Sequence, residues 1–258
     1  MRITVLVENT STSEHLSCEH GLSLYIETGD KKILFDTGAS DLFALNAAKL
    51  GIDLSQVDFA ILSHSHRDHT GGLGRFLEVN KTAPVYANPH IFGPYYNGDG
   101  ECIAPDPALE SNPRLVFVNT EMQIASNLIL HPGFTPRFPV ETWGLSRLEN
   151  GQYIPDDFRH EQYLLIQEGD KRICISGCSH KGILNIMDWY HPDILVGGFH
   201  FMKLDPDSPA LTAAGEALAQ YPTTYYTGHC TGAAQYTRLK AILGDRLQPI
   251  STGITIPI

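Results

Sequence analysis

Apolar and polar residues alternate in short runs along most of the chain. The opening residues, Met1-Arg2-Ile3-Thr4-Val5-Leu6-Val7-Glu8, predict a first β-strand. A polar loop, 9–14, follows. Leu22-Ser23-Leu24-Tyr25-Ile26-Glu27 alternates with a period of two, the spacing that sends successive side chains to opposite faces of a strand. Thr28-Gly29-Asp30-Lys31 is a turn, and Lys32-Ile33-Leu34-Phe35 is its hairpin partner, ending in Asp36-Thr37-Gly38. A helix is predicted from Leu42 to Leu50, closed by Gly51. After a connector over 52–57, Phe59-Ala60-Ile61-Leu62 predicts another strand. A helix starts at Thr70-Gly71-Gly72-Leu73, and Pro84 to Ala87 reads as a short strand.

Two stretches break the pattern. Residues 88–114 are rich in Pro, Gly and Asn and read as a loop or insertion. Residues 132–159 have no clean period and hold Phe134, Phe138, Trp143 and Tyr153 among prolines. A long irregular segment in a compact domain is a functional lid or a linker, and the aromatics favour a lid. Between the two, Leu115–Val118 and Gln123–Leu130 predict strands.

The second half then repeats the first. Leu164 to Ile175 lies on Leu24 to Phe35 without a gap, each as strand, Gly-Asp-Lys turn and strand. Val57-Asp58-Phe59 and Pro192-Asp193-Ile194 open the next strand in each copy. The expected fold is therefore α/β: two pseudo-duplicated halves packed sheet on sheet with helices outside, a four-layer αββα sandwich. The reading is of one domain over 1–258, with irregular insertions at 88–114 and 132–159. Ligand sites of such folds lie beyond strand C-termini.

Strand ends are where the chemistry concentrates. Ser63-His64-Ser65-His66-Arg67-Asp68-His69 carries three imidazoles and a carboxylate just after an apolar strand. Neutral imidazole with carboxylate is the usual donor set for zinc and similar divalent ions. Residues two apart on an extended strand end face one way, so His64 and His66 point at one ion. After the chain turns, Asp68 and His69 face a second. Three more strands end in histidine, at His180, His200 and His229, each preceded by small residues. His180 and His229 are candidate metal ligands. His200 is a candidate ligand or substrate contact.

Composition narrows the partners. The net charge of −11 argues against a nucleic-acid or anionic-membrane binder. No apolar run is long enough to span a membrane. The N-terminus lacks a signal-peptide pattern, and the five cysteines show no framework spacing, so a cytoplasmic protein with reduced thiols is expected. The oligomeric state is not legible. No Gly-x-Ser-x-Gly elbow, P-loop or dinucleotide fingerprint is present.

These residues resemble the metallo-β-lactamase superfamily. His64-x-His66-x-Asp68-His69 is its most specific mark, and Asp36 matches its first motif. More narrowly, Glu19-His20-Gly21-Leu22-Ser23, Gly177-Cys178-Ser179-His180, Gly197-Gly198-Phe199-His200 and His229-Cys230-Thr231-Gly232 are similar to the branch called 7,8-dihydropterin-6-methyl-4-(β-D-ribofuranosyl)-aminobenzene-5′-phosphate synthase. The resemblance implies a dinuclear site in a groove between the sheets, with two divalent ions, zinc first and Mn, Fe or Mg as alternatives. His64 and His66 would hold the first metal, Asp68 and His69 the second, and His229 matches the last superfamily histidine. Asp36 would accept a hydrogen bond from a ligand histidine. Gly177-Cys178 stands where many members have Gly-Asp as the bridging ligand. Cys178 is thus a thiolate ligand or a buried structural cysteine beside the site. The third-motif histidine is His180, at a strand end, or by spacing His160. His20 lines the groove or makes local bonds in its loop.

The function expected is a metal-dependent hydrolase of a small anionic molecule, a phosphoester or cyclic ester. Asp68 would orient the attacking water. His200 would protonate the leaving group or hold a phosphate. One alternative is the synthase-type condensation of a dihydropterin pyrophosphate with pyrophosphate release. Another is a metal-bound ligand sensor without turnover.

Overall fold

The computed structural model describes residues 1–258. In chain order the elements are β1 (Arg2–Val7), β2 (Ser23–Thr28), β3 (Lys31–Phe35), α1 (Leu42–Lys49), β4 (Phe59–Ile61), α2 (Arg67–Thr70), α3 (Leu73–Val79), β5 (Val85–Ala87), β6 (Tyr95–Tyr96) and β7 (Leu115–Phe117). Then come β8 (Met122–Ala125), β9 (Leu128–His131), β10 (Ser146–Glu149), β11 (Gln152–Pro155), β12 (Tyr163–Glu168), β13 (Lys171–Ile175), α4 (Ile183–Tyr190) and β14 (Ile194–Val196). The chain ends with α5 (Pro209–Ala219), β15 (Thr224–Thr227), α6 (Ala233–Leu243), β16 (Leu247–Pro249) and β17 (Thr255–Pro257). No helix is long and apolar enough to cross a membrane.

The chain divides into two compact units. The first comprises Met1–Thr120, Gly144–Gln162 and Ser251–Ile258; the second comprises Glu121–Trp143 and Tyr163–Ile250. The first holds a seven-stranded sheet in the order β17-β1-β2-β3-β4-β5-β7, and the second a seven-stranded sheet in the order β16-β15-β14-β13-β12-β9-β8. Both centre on a hairpin, β2–β3 or β12–β13, with a two-residue Gly-Asp loop whose glycine takes positive φ, at Gly29 (+58°) and Gly169 (+60°). Such a tight hairpin turn demands that conformation at its first position, and glycine adopts it without a Cβ clash.

From each hairpin three parallel strands extend on one side and two antiparallel strands on the other. The predicted duplication is therefore present strand by strand. It reaches the side chains: the Asp58 carboxylate accepts from the Lys32 N–H at 2.7 Å, and Asp193 accepts from the Arg172 N–H at 2.7 Å.

Each unit has its own apolar core. In the first, Leu6, Leu34, Phe43, Ala60 and Phe76 pack α1 and α3 onto their sheet. In the second, Cys174, Ile186, Leu195, Leu211, Tyr225 and Leu239 pack α4, α5 and α6 onto theirs. Each fully buried Leu, Ile or Phe side chain contributes about 1.5–3 kcal/mol over its exposed state.

Residues 132–159, read as an irregular insertion, contain regular structure. β10 and β11 form a hairpin there, and β10 pairs with β6 from the other irregular stretch, giving a three-stranded sheet β11-β10-β6. Neither hairpin strand has a buried face, so it leaves no hydrophobic period to read. Helical structure also begins earlier than expected, at Arg67 inside the histidine run.

Candidate metal centre

Each unit carries part of the predicted ligand set: His64, His66, Asp68 and His69 in the first, His180, His200 and His229 in the second. In the first unit, β4 delivers the chain to Ser63, and α2 then turns Asp68 and His69 round. His64, His66 and Asp68 offer ligand atoms within 4.8 Å of one another, as do Asp36, His64 and His69. The ring centroids of His64 lie 4.7 Å from those of His66 and 4.1 Å from those of His69.

Asp36 organises this cluster. It sits just beyond β3 at φ +60°, an infrequent conformation that Asp tolerates better than most residues. Its Oδ1 accepts the Ser63 N–H at 2.7 Å; its Oδ2 accepts the Ser63 hydroxyl at 2.6 Å and the His69 Nδ1–H at 2.7 Å. A carboxylate only accepts, so His69 carries its proton on Nδ1. Ser63 has spent its own proton on Asp36, so its oxygen accepts from His64 Nδ1, 2.8 Å away. One buried carboxylate thus engages Nδ1 of two rings, one directly and one through a hydroxyl, so that in the neutral form of each ring Nε2 is the unprotonated nitrogen. That is the form in which imidazole binds a metal, so the donor set fits a divalent ion. Burial alone would lower the His69 pKa. The charges of Asp68 and Asp36, the hydrogen bond to Asp36 and the charge of Glu161 outweigh it and raise the pKa above the ordinary histidine value.

The Glu19-to-Ser23 segment wraps this run. Glu19 accepts the N–H groups of Ala39 and Ser40 and the Ser40 hydroxyl. Gly21 brings its backbone so close that a Cβ would lie 2.6 Å from the Asp68 carbonyl oxygen. Ser23 donates to the Asp36 carbonyl at 2.8 Å. His20 is more than half exposed, with Nε2 3.5 Å from Asp68 Oδ2 and Nδ1 facing the Asn9 amide at 3.2 Å.

His160 is fully buried in the first unit. Its Nδ1 accepts the Ser65 N–H at 3.1 Å, so its proton is on Nε2, which lies 3.1 Å from Asp156 Oδ2. Both ring nitrogens are engaged. Sequence reasoning missed Asp156, Ser63 and the fully buried Glu161. Its one available signal was the i, i+4 spacing of Asp156 and His160.

In the second unit, β13, β14 and β15 are adjacent and parallel, so their C-terminal ends deliver Cys178–His180, His200 and His229 to one edge of the sheet. The His180 and His200 rings lie 4.2 Å apart. The backbones approach closely there. The Gly198 N–H donates to the Gly177 carbonyl at 2.8 Å, and a Cβ on Gly198 would lie 2.3 Å from Cys230 Sγ. The Cys230 thiol donates to the Cys178 carbonyl at 3.5 Å, and both cysteines are buried and reduced. A cavity of about 410 Å³ opens beside His180 and His200, walled by Pro139, Trp143, Phe199, Phe201 and Leu204, with Glu141 as its one acidic group.

A family model described as the metallo-beta-lactamase superfamily matches residues 16–229. The chain is 32% identical over 241 residues to the 7,8-dihydropterin-6-methyl-4-(beta-D-ribofuranosyl)-aminobenzene-5'-phosphate synthase of Methanocaldococcus jannaschii, covering 83% of this chain and 81% of that protein. A solved structure described as Tm1679, a metal-dependent hydrolase of the beta-lactamase superfamily, superposes with a TM-score of 0.86 at 29% identity, covering 100% of this chain and 99% of that one. A diphosphatase from the PhnP family, at 15% identity and a TM-score of 0.56 over 99% of this chain and 97% of its own, shares the fold alone.

Proposed function

The chain belongs to the metallo-β-lactamase superfamily, and from that premise we propose that it is a metal-dependent hydrolase of a small molecule with an anionic reacting group, a phosphoester or cyclic ester. The observation that carries the reading is the buried Asp36–Ser63 arrangement that engages Nδ1 of both His64 and His69, so that Nε2 is the nitrogen each neutral ring can offer to an ion. The ligands proposed are His64, His66, Asp68, His69, His180 and His229, for two divalent ions with zinc first. An ion so held supplies Lewis acidity and lowers the pKa of water towards about 7.

The chain's own groups do the rest. Asp68 orients the attacking water and takes its proton at a carboxylate oxygen. His200 gives a proton to the leaving group or holds an anionic oxygen. Cys178, in place of a bridging carboxylate, offers a soft donor, which favours zinc over magnesium. The cavity beside His180 and His200 is within the size range of small-molecule sites, and its apolar walls suit the uncharged remainder of the substrate.

A second reading is synthase-type condensation with pyrophosphate release, favoured by the 32% identity to a protein of that name. Metal content, and turnover of phosphomonoesters, phosphodiesters and lactones by the zinc- and manganese-loaded protein, separate the two. The hydrolase reading expects turnover that a chelator abolishes and that His66→Ala loses together with metal. Pyrophosphate release from a dihydropterin pyrophosphate, with none of the esters cleaved, would favour the synthase.

A further inference from the structure

Alternate peptide N–H groups of the histidine run are held from outside it. The Ser63 N–H goes to Asp36, and the Arg67 N–H goes to the Ile103 carbonyl at 2.7 Å. Between them, the Ser65 N–H goes to Nδ1 of His160 at 3.1 Å. That peptide joins His64 to Ser65, so its orientation bears on where both flanking imidazoles point. The histidine that receives it is itself fixed. Nε2 donates to Asp156 Oδ2, and Asp156 Oδ1 accepts the Phe158 N–H at 2.9 Å.

Tyr95 packs edge-on against the His160 ring with centroids 4.2 Å apart, and the His66 ring lies 5.3 Å away. Phe158 is fully buried at φ +52°, a conformation that a bulky residue keeps only when its surroundings impose it. The following residues are stitched to the same strand end. The Gln162 N–H donates to the Ser63 carbonyl and its side-chain amide to the Leu62 carbonyl, both at 2.8 Å.

We infer that His160, fixed by Asp156, is a positioning residue for the metal run, setting the peptide between its first two histidines and so the aim of His64 and His66. This rests on the reading that those two histidines bind metal. A ligand role for His160 is the competing assignment, since His66, Asp156 and His160 also offer ligand atoms within 4.8 Å of one another. The neutral ring argues for positioning: one nitrogen accepts a backbone proton and the other donates to a carboxylate, so both are used without an ion.

The test measures zinc affinity by competition with a chromophoric chelator, metal content at saturation, and the visible spectrum of the cobalt(II)-loaded protein. His160→Phe keeps the ring volume and removes both hydrogen bonds. It is expected to weaken zinc binding about 10–100-fold, the usual cost of losing a group that orients a ligand, with unchanged saturating content and a shifted cobalt spectrum. His160→Asn, whose Oδ1 can accept the Ser65 N–H, recovers most of the affinity. Asp156→Asn leaves the ring in place and produces a smaller loss in the same direction, which keeps the test decisive should His160→Phe not fold. Saturating content lower by one ion in the His160 variants would make His160 a ligand and overturn the inference. So would zinc affinity within about twofold of the native chain in His160→Phe, or in Asp156→Asn should His160→Phe not fold. A native chain that takes up no zinc would overturn the metal reading itself, a failure seen before any variant is compared.

Discussion

The two seven-stranded sheets use one strand plan and close the same junction in different ways. In the first, Asp36 N–H donates to the Ile61 carbonyl at 2.9 Å; in the second, Ser176 N–H donates to the Val196 carbonyl at 2.9 Å. Two residues past each of those acceptors the sheets diverge. Ser63 N–H meets the Asp36 carboxylate, whereas its counterpart Gly198 N–H meets the Gly177 carbonyl. The first unit gathers His64, His66 and His69 after one strand, and a side-chain carboxylate organises the cluster. The second spreads His180, His200 and His229 over three strand ends, and backbone contact through glycines holds those ends together. A carboxylate can set ring tautomers, which a peptide carbonyl one strand away does not do here. A glycine lets two loops touch, which a side chain would prevent.

The largest test of this contrast is to make the first junction resemble the second. Asp36→Ser, which places the residue of position 176 at position 36, strips the acceptor from Ser63 and His69. It should cost about 3 kcal/mol in urea unfolding of the metal-free protein, as breaking a buried charged network does, and at least about tenfold in zinc affinity. A loss under about 1 kcal/mol would remove Asp36 from its organising place.

Gly198→Ala attacks the second junction. The added methyl meets Cys230 Sγ, and about 2 kcal/mol should be lost to overpacking. Adding Cys230→Ala should restore at least half of it, a coupling that a double-mutant cycle reads directly.

Asp58→Ala and Asp193→Ala should each cost about 1 kcal/mol, the worth of one hydrogen bond, and should agree within about 0.5 kcal/mol because the bonds they break are equivalent. A clear inequality would show that the duplication is only topological.

The smallest effect is in pH. Val7 faces Ser23 in the first sheet, and His131 holds the matching register opposite Tyr163 in the second. Burial pushes the His131 pKa below the ordinary value of 6.5. Its Nδ1 accepts the Gly133 N–H at 2.9 Å and lies 2.9 Å from the Tyr190 hydroxyl. The unfolded chain then binds the extra proton first. The stabilisation is full above about pH 6.5 and is lost as pH falls towards the depressed folded value. The melting temperature of His131→Gln should therefore fall less than that of the native chain between about pH 6.5 and pH 5.

Much of this was legible in the sequence because it is local. The Gly-Asp-Lys turns flanked by alternating residues announce both hairpins, and the dense imidazole run marks itself at the end of an apolar strand. What escaped is non-local or lacks a period. β10 and β11 bury no face, so their alternation carries no hydrophobic signal. His160 could be read only as a possible ligand, because its partner Ser65 is 95 residues away. Ser63, one polar residue among many, becomes a link between Asp36 and His64 only when two strand ends are brought side by side.

The small sheet β11-β10-β6 draws one strand from 88–114 and two from 132–159, and 156–162 follows directly from its last strand. The two irregular stretches are therefore not independent parts. Divergence in the length of one changes the footing of the other, and through Asp156 and His160 it reaches the loop at Ser65. Grafting new specificity onto this scaffold by exchanging a single insertion would pull out half a sheet. The pair must travel together as one cassette.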